Sequence, residues 1–155
     1  MSNASQFLIR DAGPDDAPAI SAMARRLIPS STVGREMSAF DDYFSRTGVD
    51  FGPGTRTVVA CDAGNNPVGY LTVRPDIDYF SGEAGAYIER LATTEAAEGT
   101  GTGRLLMEWA AEWARSQGLR TIALDVFANN ARARRFYCRN GYEEDFVRMV
   151  RTLDE

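Results

Sequence analysis

The chain contains 155 residues, 44% of them hydrophobic, which is the size and composition of one soluble globular domain over residues 1–155. Its net charge of −5, from 22 acidic and 17 basic residues, argues against a nucleic-acid partner and mildly favours cationic partners. It has no histidine, and its two cysteines lack metal-ligand spacing, so we expect no metal site and no histidine-based triad.

The first residues of the chain do not have the pattern of a signal peptide. Arg10, Asp11, Asp15 and Asp16 place charges where such a peptide would carry an apolar run. No apolar run elsewhere approaches the roughly 18 residues that a membrane-spanning helix requires. We therefore expect a cytoplasmic protein without a membrane partner.

Hydrophobic periodicity predicts the elements of the first half. Ile20, Met23 and Leu27 recur at helical spacing after the helix-start signal of residues 13–16. Further on, two apolar runs flank a turn rich in Asp, Gly, Asn and Pro, which predicts a hairpin. The predicted elements are, in chain order, a strand over 7–10, a helix after 16, a second helix over 36–47, and hairpin strands over 57–61 and 68–73.

The second half alternates strands and helices. Leu106, Ala110 and Trp113 lie on the apolar stripe of a helix that stops at residues 117–118. Together the two halves predict an α/β fold with a mixed sheet and helices on both faces. The predicted elements are a strand over 86–92, a glycine-rich turn over 98–103, that helix, a strand over 121–126, a helix over 131–140 and a last strand over 146–150.

The glycine-rich turn lies between a predicted strand and an amphipathic helix. Its glycines allow the backbone to approach a ligand closely, and the first N–H groups of the helix suit a phosphate. The spacing fits neither the dinucleotide fingerprint, because Arg104 takes the place of its last glycine, nor a P-loop. An ordinary connection with glycine for packing remains open. Likewise, four arginines at 132, 134, 135 and 139 form either a solvated helix face or contacts to a phosphate-bearing ligand.

Two segments carry a resemblance. Residues 88–106, IERLATTEAAEGTGTGRLL, lead from a strand through a turn of the form x-x-x-G-x-G into a helix, and residues 130–142, NARARRFYCRNGY, match N-x-x-A-x-x-[F/L]-Y-x-x-x-G-[F/Y] at every fixed position. Both resemble the acetyl-CoA-binding motifs of the GNAT N-acetyltransferase superfamily, in the same order. The resemblance covers residues 86–142 and implies a single GNAT-like domain with a central, mostly antiparallel mixed sheet. It also implies that acetyl-CoA is the cosubstrate, and that its acetyl group passes to a primary amine of a small molecule or peptide by direct attack in a ternary complex.

One residue departs from the pattern of this family. Glu98 stands where GNAT members usually have Arg or Gln, at the head of the pyrophosphate loop. A carboxylate that pointed inward there would repel phosphate. We therefore expect the Glu98 side chain to point outward and the backbone amides to carry the binding.

The resemblance also implies which residues hold the cofactor. The backbone of Leu91, Ala92 and Thr93 is expected to pair with the pantetheine arm like an added strand, freed by a bulge. Asn130 is expected to contact the cofactor and to cap its own helix. The Arg104 side chain either adds a charge-assisted bond or is a plain surface arginine. The pyrophosphate is expected on the backbone N–H groups of Gly99, Thr100, Gly101, Thr102, Gly103 and Arg104.

Two residues are predicted to carry the chemistry. The resemblance places the Tyr137 hydroxyl near the cofactor sulfur, as a general acid for the departing thiolate; the alternative is a core aromatic beside Phe136. An amine with a pKa near 10 must lose a proton before it attacks, and without histidine a carboxylate is the natural acceptor. Glu89, in a Tyr-x-Glu pattern that resembles aminoglycoside-acetylating GNAT members, is the first candidate and Glu83 the second. The alternative for Glu89 is an ion pair with a basic neighbour.

Two other functions remain open at this point. A catalytically silent acyl-CoA-binding module would share the motifs without turnover, and a nucleotide-binding protein would use the glycine-rich turn alone. The acceptor amine is not identified by the sequence. Dimers are common in the family, so a homodimer is a possible assembly.

Overall fold

The computed structural model describes residues 6–27 and 54–153. Within these ranges strands β1 to β4 pair antiparallel with their neighbours, and β5 pairs parallel with β4. The predicted mixed, mostly antiparallel sheet is therefore confirmed. Its five strands, in spatial as well as chain order, are β1 (Leu8–Asp11), β2 (Arg56–Cys61), β3 (Pro67–Ile77), β4 (Ala84–Thr93) and β5 (Ile122–Leu124).

Three α-helices accompany the sheet in the described ranges: α1 (Ala17–Arg25), α2 (Thr102–Ser116) and α3 (Ala131–Arg139). A short 3-10 helix at Pro14–Asp16 leads into α1, and another at Glu95–Ala97 follows β4. The helix predicted over 36–47 lies outside the described residues. None of the described helices is long and apolar enough to cross a membrane.

The helices cover both faces of the sheet, as the sequence pattern predicts. On one face, Ile20 and Met23 of α1 pack in a cluster with Val59 and Tyr70 of the sheet. On the other face α2 buries a stripe whose spacing of four and three residues is that of one helix face: Leu106, Ala110 and Trp113. Because both faces of β2 and β3 are covered there, residues 58–61 of β2 and 69–73 of β3 are buried without interruption instead of alternating between buried and exposed.

Strand β4 carries a bulge and then parts from β5. The consecutive β3 residues Thr72 and Val73 pair with Arg90 and Ile88, which leaves Glu89 as the extra residue of β4. Strand β5 is three residues long, and its pairing with β4 ends at Ile88. Beyond Ile88, no strand of the described ranges lies on that side of β4.

The last predicted strand, over 146–150, is wrong. Residues 142–153 form neither a helix nor a strand; the Phe146 side chain is 62% exposed and its ring lies 5.4 Å from that of Phe80. A short apolar run that contains Phe and Val favours a strand, but a strand needs a neighbour whose N–H and C=O groups pair with its own. Within the described part of the chain this segment has none. The other predicted strands there are confirmed, with ends shifted by at most four residues.

The buried Tyr70 and the partly buried Tyr142 make the stability of the fold sensitive to alkaline pH. Burial raises the pKa of Tyr70 to about 12, and burial together with the neighbouring Tyr137 raises the pKa of Tyr142 to about 12. In the unfolded chain both phenols ionise near the ordinary value of about 10. The unfolded state then binds fewer protons than the folded state, so we expect the free energy of unfolding to fall as pH rises from about 10 to about 12. Urea unfolding followed by circular dichroism across this range measures the decline.

Two conservative variants give this prediction its control. Tyr70→Phe removes a fully buried ionisable group and should flatten the decline. Tyr79→Phe removes the hydroxyl of a side chain that is 90% exposed and should leave the decline as it is. Equal slopes in the two variants would contradict the assignment to buried tyrosine.

Candidate functional site

The end of β4 offers an open backbone edge. Leu91, Ala92 and Thr93 pair on one side with β3, while on the other side no described strand accompanies them after Ile88. Successive N–H and C=O groups of a strand point to its two sides, so some of these groups point into the gap. An extended ligand can pair with such an edge as an added strand.

The glycine-rich turn at the end of this edge is open on its outer side. Gly99 and Gly101 have φ angles of +73° and +89°, in the left-handed region that favours glycine. A Cβ at either position would meet no atom of the described residues within 4 Å. The turn therefore has the backbone shape that only glycine adopts readily, together with space for a ligand over it.

The N–H groups of the turn differ in their availability. The Thr100 N–H donates to the carbonyl of Ala97 at 3.2 Å, whereas the N–H groups of Gly99 and Gly101 bind no acceptor within the described ranges. From Thr102 onwards, the first N–H groups of α2 have no partner inside the helix. A helix of 15 residues also presents the positive end of its dipole here. This combination suits a phosphate group.

Close packing fixes the start of α2 between the sheet and α3. A Cβ on Gly69 of β3 would lie 2.8 Å from Thr102 Cγ2, and one on Gly103 would lie 3.1 Å from the Phe136 ring of α3. Thr102 is fully buried, and its hydroxyl lies 2.8 Å from that of Thr100. Gly103 therefore serves the packing of α2, which is one of the two interpretations that the sequence left open for the turn.

Glu98, at the head of the turn, is held by two arginines. One carboxylate oxygen pairs with Arg26, just after α1, and the other accepts a hydrogen bond from Arg132 Nη1 of α3 at 3.1 Å. Arg26 also donates to the carbonyl of Thr93. A hydrogen bond from Arg26, and to a smaller extent one from Arg132, holds the pKa of the Glu98 carboxyl below its ordinary value. The side chain is 31% exposed, so it is turned towards the arginines and does not simply point outward as expected.

Sequence reasoning missed Arg26 altogether. Arg26 and Glu98 are 72 positions apart, and no local pattern links the end of α1 to the turn. For Arg132 a signal existed in the arginine cluster of residues 132–139, for which a phosphate-bearing ligand was one interpretation.

Asn130 and Arg104 have well-defined local partners. The Asn130 side-chain oxygen accepts a hydrogen bond from the Ala133 N–H at 3.1 Å, so its predicted role as a helix cap is confirmed, while its contact with the cofactor stays a prediction. Arg104 Nε lies 3.0 Å from the carboxylate of Glu108, and its side chain is 72% exposed. This is the geometry of a surface ion pair along one helix.

Tyr137 lies in α3 with its ring against the core. Its ring centroid is 5.4 Å from that of Phe136 and 6.0 Å from that of Tyr142. Because Phe136 contacts the start of α2 at Gly103, Tyr137 belongs to the helix that borders the glycine-rich turn. Burial raises the pKa of Tyr137. Its hydroxyl makes no hydrogen bond to another described residue, so it can donate one to a ligand.

Glu89, the extra residue of the β4 bulge, forms an ion pair with Arg74 of β3, and its side chain is 13% exposed. Arg74 also pairs with Asp76 at 3.0 Å and lies 4.9 Å from the centre of the Tyr87 ring. The Tyr87 hydroxyl donates to Asp125, just after β5, at 2.7 Å. The ion pair that the sequence left open for Glu89 is therefore present, within a polar network that reaches from β3 to the end of β5.

Glu83, the second candidate for the base, lies apart from this network. It is exposed at the tip of the β3–β4 hairpin, six residues before Glu89, which corresponds to about 20 Å along an extended chain. The arrangement favours Glu89 of the two. Among the residues that the structure describes, no three acidic or cysteine side chains gather as a metal ion would require.

Comparison with known proteins relates this architecture to one family. The sequence profile of the acetyltransferase (GNAT) family matches residues 20–142, which is most of the chain. None of the curated proteins compared with the chain matches it.

Solved structures share the fold over almost their whole length. A transcriptional regulator of Bacillus halodurans is 27% identical, with 95% of this chain and 99% of that chain covered and a TM-score of 0.69. An acetyltransferase of Trypanosoma brucei is 21% identical, with 95% of this chain and 99% of that chain covered and a TM-score of 0.66. An aminoglycoside antibiotic 6′-N-acetyltransferase of Acinetobacter baumannii is 14% identical, with 96% of this chain and 99% of that chain covered and a TM-score of 0.70. At these last two identities the likeness concerns the fold alone.

The open turn generates a prediction for Gly101→Ala. Alanine at a φ of +89° should cost about 1 kcal/mol of folding stability, because its Cβ disfavours the left-handed region. Its methyl group would also project into the space over the turn, so coenzyme A should bind about tenfold more weakly or worse. Isothermal titration and thermal unfolding measure the two effects separately.

Gly118→Ala is the matched control for this variant. Gly118, after the end of α2, has a φ of +74° and equally open surroundings, so alanine there imposes the same strain away from the turn. We expect Gly118→Ala to lose stability and to bind coenzyme A like the wild type. Wild-type affinity in both variants would contradict the assignment of the turn.

Proposed function

Because this chain belongs to the acetyltransferase (GNAT) family, we propose that it transfers the acetyl group of acetyl-CoA to a primary amine of a small molecule or peptide. As a member of that family, the protein is an acetyl-CoA-dependent acyltransferase. The observation that carries the proposal is the continuity of an open strand edge, a glycine-rich turn and a helix N-terminus along residues 91–104. This stretch fits a ligand with an extended polar arm and a phosphate group at one end.

In the proposed complex the two parts of coenzyme A bind different groups of the chain. The amide groups of the pantetheine arm pair with the backbone of Leu91, Ala92 and Thr93. The diphosphate lies on the N–H groups of Gly99 and Gly101 and on those of the first turn of α2, where the dipole of the helix stabilises it. The Thr100 N–H contributes less, because it is bound to Ala97.

The amine acceptor is proposed to approach from the side of Glu89. A primary amine with a pKa near 10 is protonated at neutral pH and cannot attack until it loses a proton. Glu89 accepts that proton directly or through a water molecule, and the ion pair with Arg74 holds its carboxylate in one orientation. The amine nitrogen then forms a bond to the acetyl carbon and loses its second proton to water. The bond from that carbon to sulfur breaks, and the departing thiolate takes up a proton from solvent.

The departing sulfur is proposed to be stabilised by Tyr137. Its raised pKa keeps the hydroxyl protonated at neutral pH. Since a phenol with such a pKa is a weaker acid than a thiol with a pKa near 8.5, it acts first as a hydrogen-bond donor to the developing thiolate. General acid assistance of this kind is typically worth about 10²–10⁴-fold in rate.

A thiol-release assay with acetyl-CoA and a broad panel of amines tests this function. Amine-dependent release of coenzyme A supports acetyl transfer. Tight binding of coenzyme A without turnover on any amine would favour a catalytically silent acyl-CoA-binding module, and one relative of the same fold is indeed described as a transcriptional regulator. Binding of ATP or NAD in place of coenzyme A would contradict both functions.

The proposed role of Tyr137 predicts the behaviour of Tyr137→Phe. With the donor to the thiolate removed, kcat should fall by about 10–10³-fold, and KM for acetyl-CoA should change little. Tyr142→Phe is the control, because it removes the hydroxyl of the adjacent ring without a proposed role. Steady-state kinetics with one accepted amine compare the variants. Full activity of Tyr137→Phe would reject the role.

The proposed role of Glu89 predicts a pH-dependent defect in Glu89→Gln. Activity should be low at neutral pH and should recover as pH rises towards the pKa of the amine, because free amine then forms without a base. The profile should be recorded below the pH at which the buried tyrosines lower stability. Wild-type activity of Glu89→Gln at neutral pH would contradict the role.

Two further variants distinguish the role of Glu89 as a base from the effect of its ion pair with Arg74. Arg74→Gln breaks the pair but keeps the carboxylate, so it should keep most of the neutral-pH activity that Glu89→Gln loses. Glu83→Gln changes the exposed acid at the hairpin tip and should behave like the wild type. A defect in Arg74→Gln as large as that in Glu89→Gln would assign the loss to the ion pair.

A further inference from the structure

We propose that Glu98 is a positioning residue which holds Arg26 and Arg132 beside the glycine-rich turn, and that these two guanidinium groups bind the diphosphate of coenzyme A. The inference rests on the proposed function and adds residues that neither the turn nor the helix N-terminus supplies. On this proposal Glu98 favours the binding of phosphate at the turn, although its own side chain is negatively charged.

The geometry joins three separate parts of the chain at one point. Glu98 is the first residue of the turn, Arg26 follows α1, and Arg132 lies in the first turn of α3. Each arginine takes a different oxygen of the same carboxylate. The carboxylate thus fixes two guanidinium groups, from opposite faces of the sheet, next to the first glycine of the turn.

The charge of this cluster favours an anion. Two arginines and one glutamate leave a net charge of +1 at a place where Glu98 alone would contribute −1. A guanidinium has five N–H donors, and Arg132 uses one of them on Glu98 within the described residues. The remaining donors match the paired oxygens of a phosphate, for which arginine is the best-suited side chain.

The position of Arg26 connects the two parts of the proposed cofactor site. Its guanidinium bonds to the Thr93 carbonyl, where the open edge of β4 ends, and to Glu98, where the turn begins. A ligand that lies along the edge and continues onto the turn must pass this group. Arg26 is therefore placed to contact the junction between the pantetheine arm and the diphosphate.

A purely structural role is the competing explanation, and stability does not favour it. The side chains of Arg26 and Arg132 are 36% and 70% exposed. Exposed ion pairs of this kind contribute little to folding, because water and salt screen them. Ligand binding is the measurement that separates the two explanations.

The experiment compares the affinities of coenzyme A, dephospho-coenzyme A and pantetheine by isothermal titration, with pantetheine measured by competition. In Arg26→Gln and in Arg132→Gln, coenzyme A and dephospho-coenzyme A should both bind about 5–30-fold more weakly, with a flatter dependence on salt. Pantetheine, which has no phosphate, should bind as it does to the wild type. Arg26→Lys and Arg132→Lys keep the charge and should recover part of the loss.

Glu98→Gln distinguishes a positioning role of Glu98 from simple repulsion of the phosphates, because the two predict opposite changes in the affinity for coenzyme A. If Glu98 positions the arginines, its neutralisation should weaken coenzyme A binding by about 2–5-fold, although it removes a negative charge from a phosphate site. Stronger binding in Glu98→Gln would overturn the inference. Arg115→Gln is the matched control, because it breaks a comparable exposed pair with Glu112 far along α2 and should bind like the wild type.

Three other results would also overturn the inference. An equal loss of pantetheine and coenzyme A binding in the arginine variants would indicate a structural clamp. A loss with coenzyme A but not with dephospho-coenzyme A would move the contact to the 3′-phosphate. Wild-type affinity in both arginine variants would exclude any contact. Only failure of the wild type to bind coenzyme A would contradict the proposed function as well.

Discussion

Strand β4 is paired on both sides up to Ile88 and on one side only beyond it. A strand inside a sheet has its N–H and C=O groups bonded to both neighbours and retains none for a ligand. The extra residue at Glu89 bends and twists the strand at this point, and the short β5 does not follow. The same strand then leads into the turn at the start of α2. An accessible backbone edge and a helix N-terminus thus follow each other directly along the chain.

Two acidic residues, one at the bulge of β4 and one at the start of the turn, are paired with arginine from another element. Glu89 pairs with Arg74 on the neighbouring strand, and Glu98 pairs with Arg26 and Arg132 from two helices. At the turn, two guanidiniums outnumber one carboxylate, so that end suits an anion. At the bulge, a carboxylate is kept within a polar network, which suits a cationic amine. On the proposed assignment, the anionic cofactor and the cationic amine would therefore lie at different points along β4.

The turn keeps its shape through packing. Gly69 and Gly103 allow α2 to approach β3 and α3 closely, and the buried Thr102 hydroxyl bonds within the turn. The glycines with positive φ are the ones that face open space. A site held by its own packing has little conformational freedom to lose when a ligand binds, which favours affinity.

Features that depend on neighbours a few residues apart were determined by the sequence itself. The apolar stripe of α2, the Asn130 cap and the strand–turn–helix order around the glycines arise from local spacing, and the structure has all of them. The family resemblance had the same origin, because its two motifs are contiguous segments.

Contacts between distant segments were decided only by the tertiary structure. That Glu89 is the bulged residue opposite Arg74 depends on the register of β3 and β4, and that Arg26 meets Glu98 depends on how α1 docks on the sheet. Residues 146–150 have the composition of a strand, and yet no strand pairs with them in the described chain. The physical reason is the same in each case: backbone pairing and ion pairs require a partner brought close by the whole fold, and local propensity contains no information on where that partner will lie.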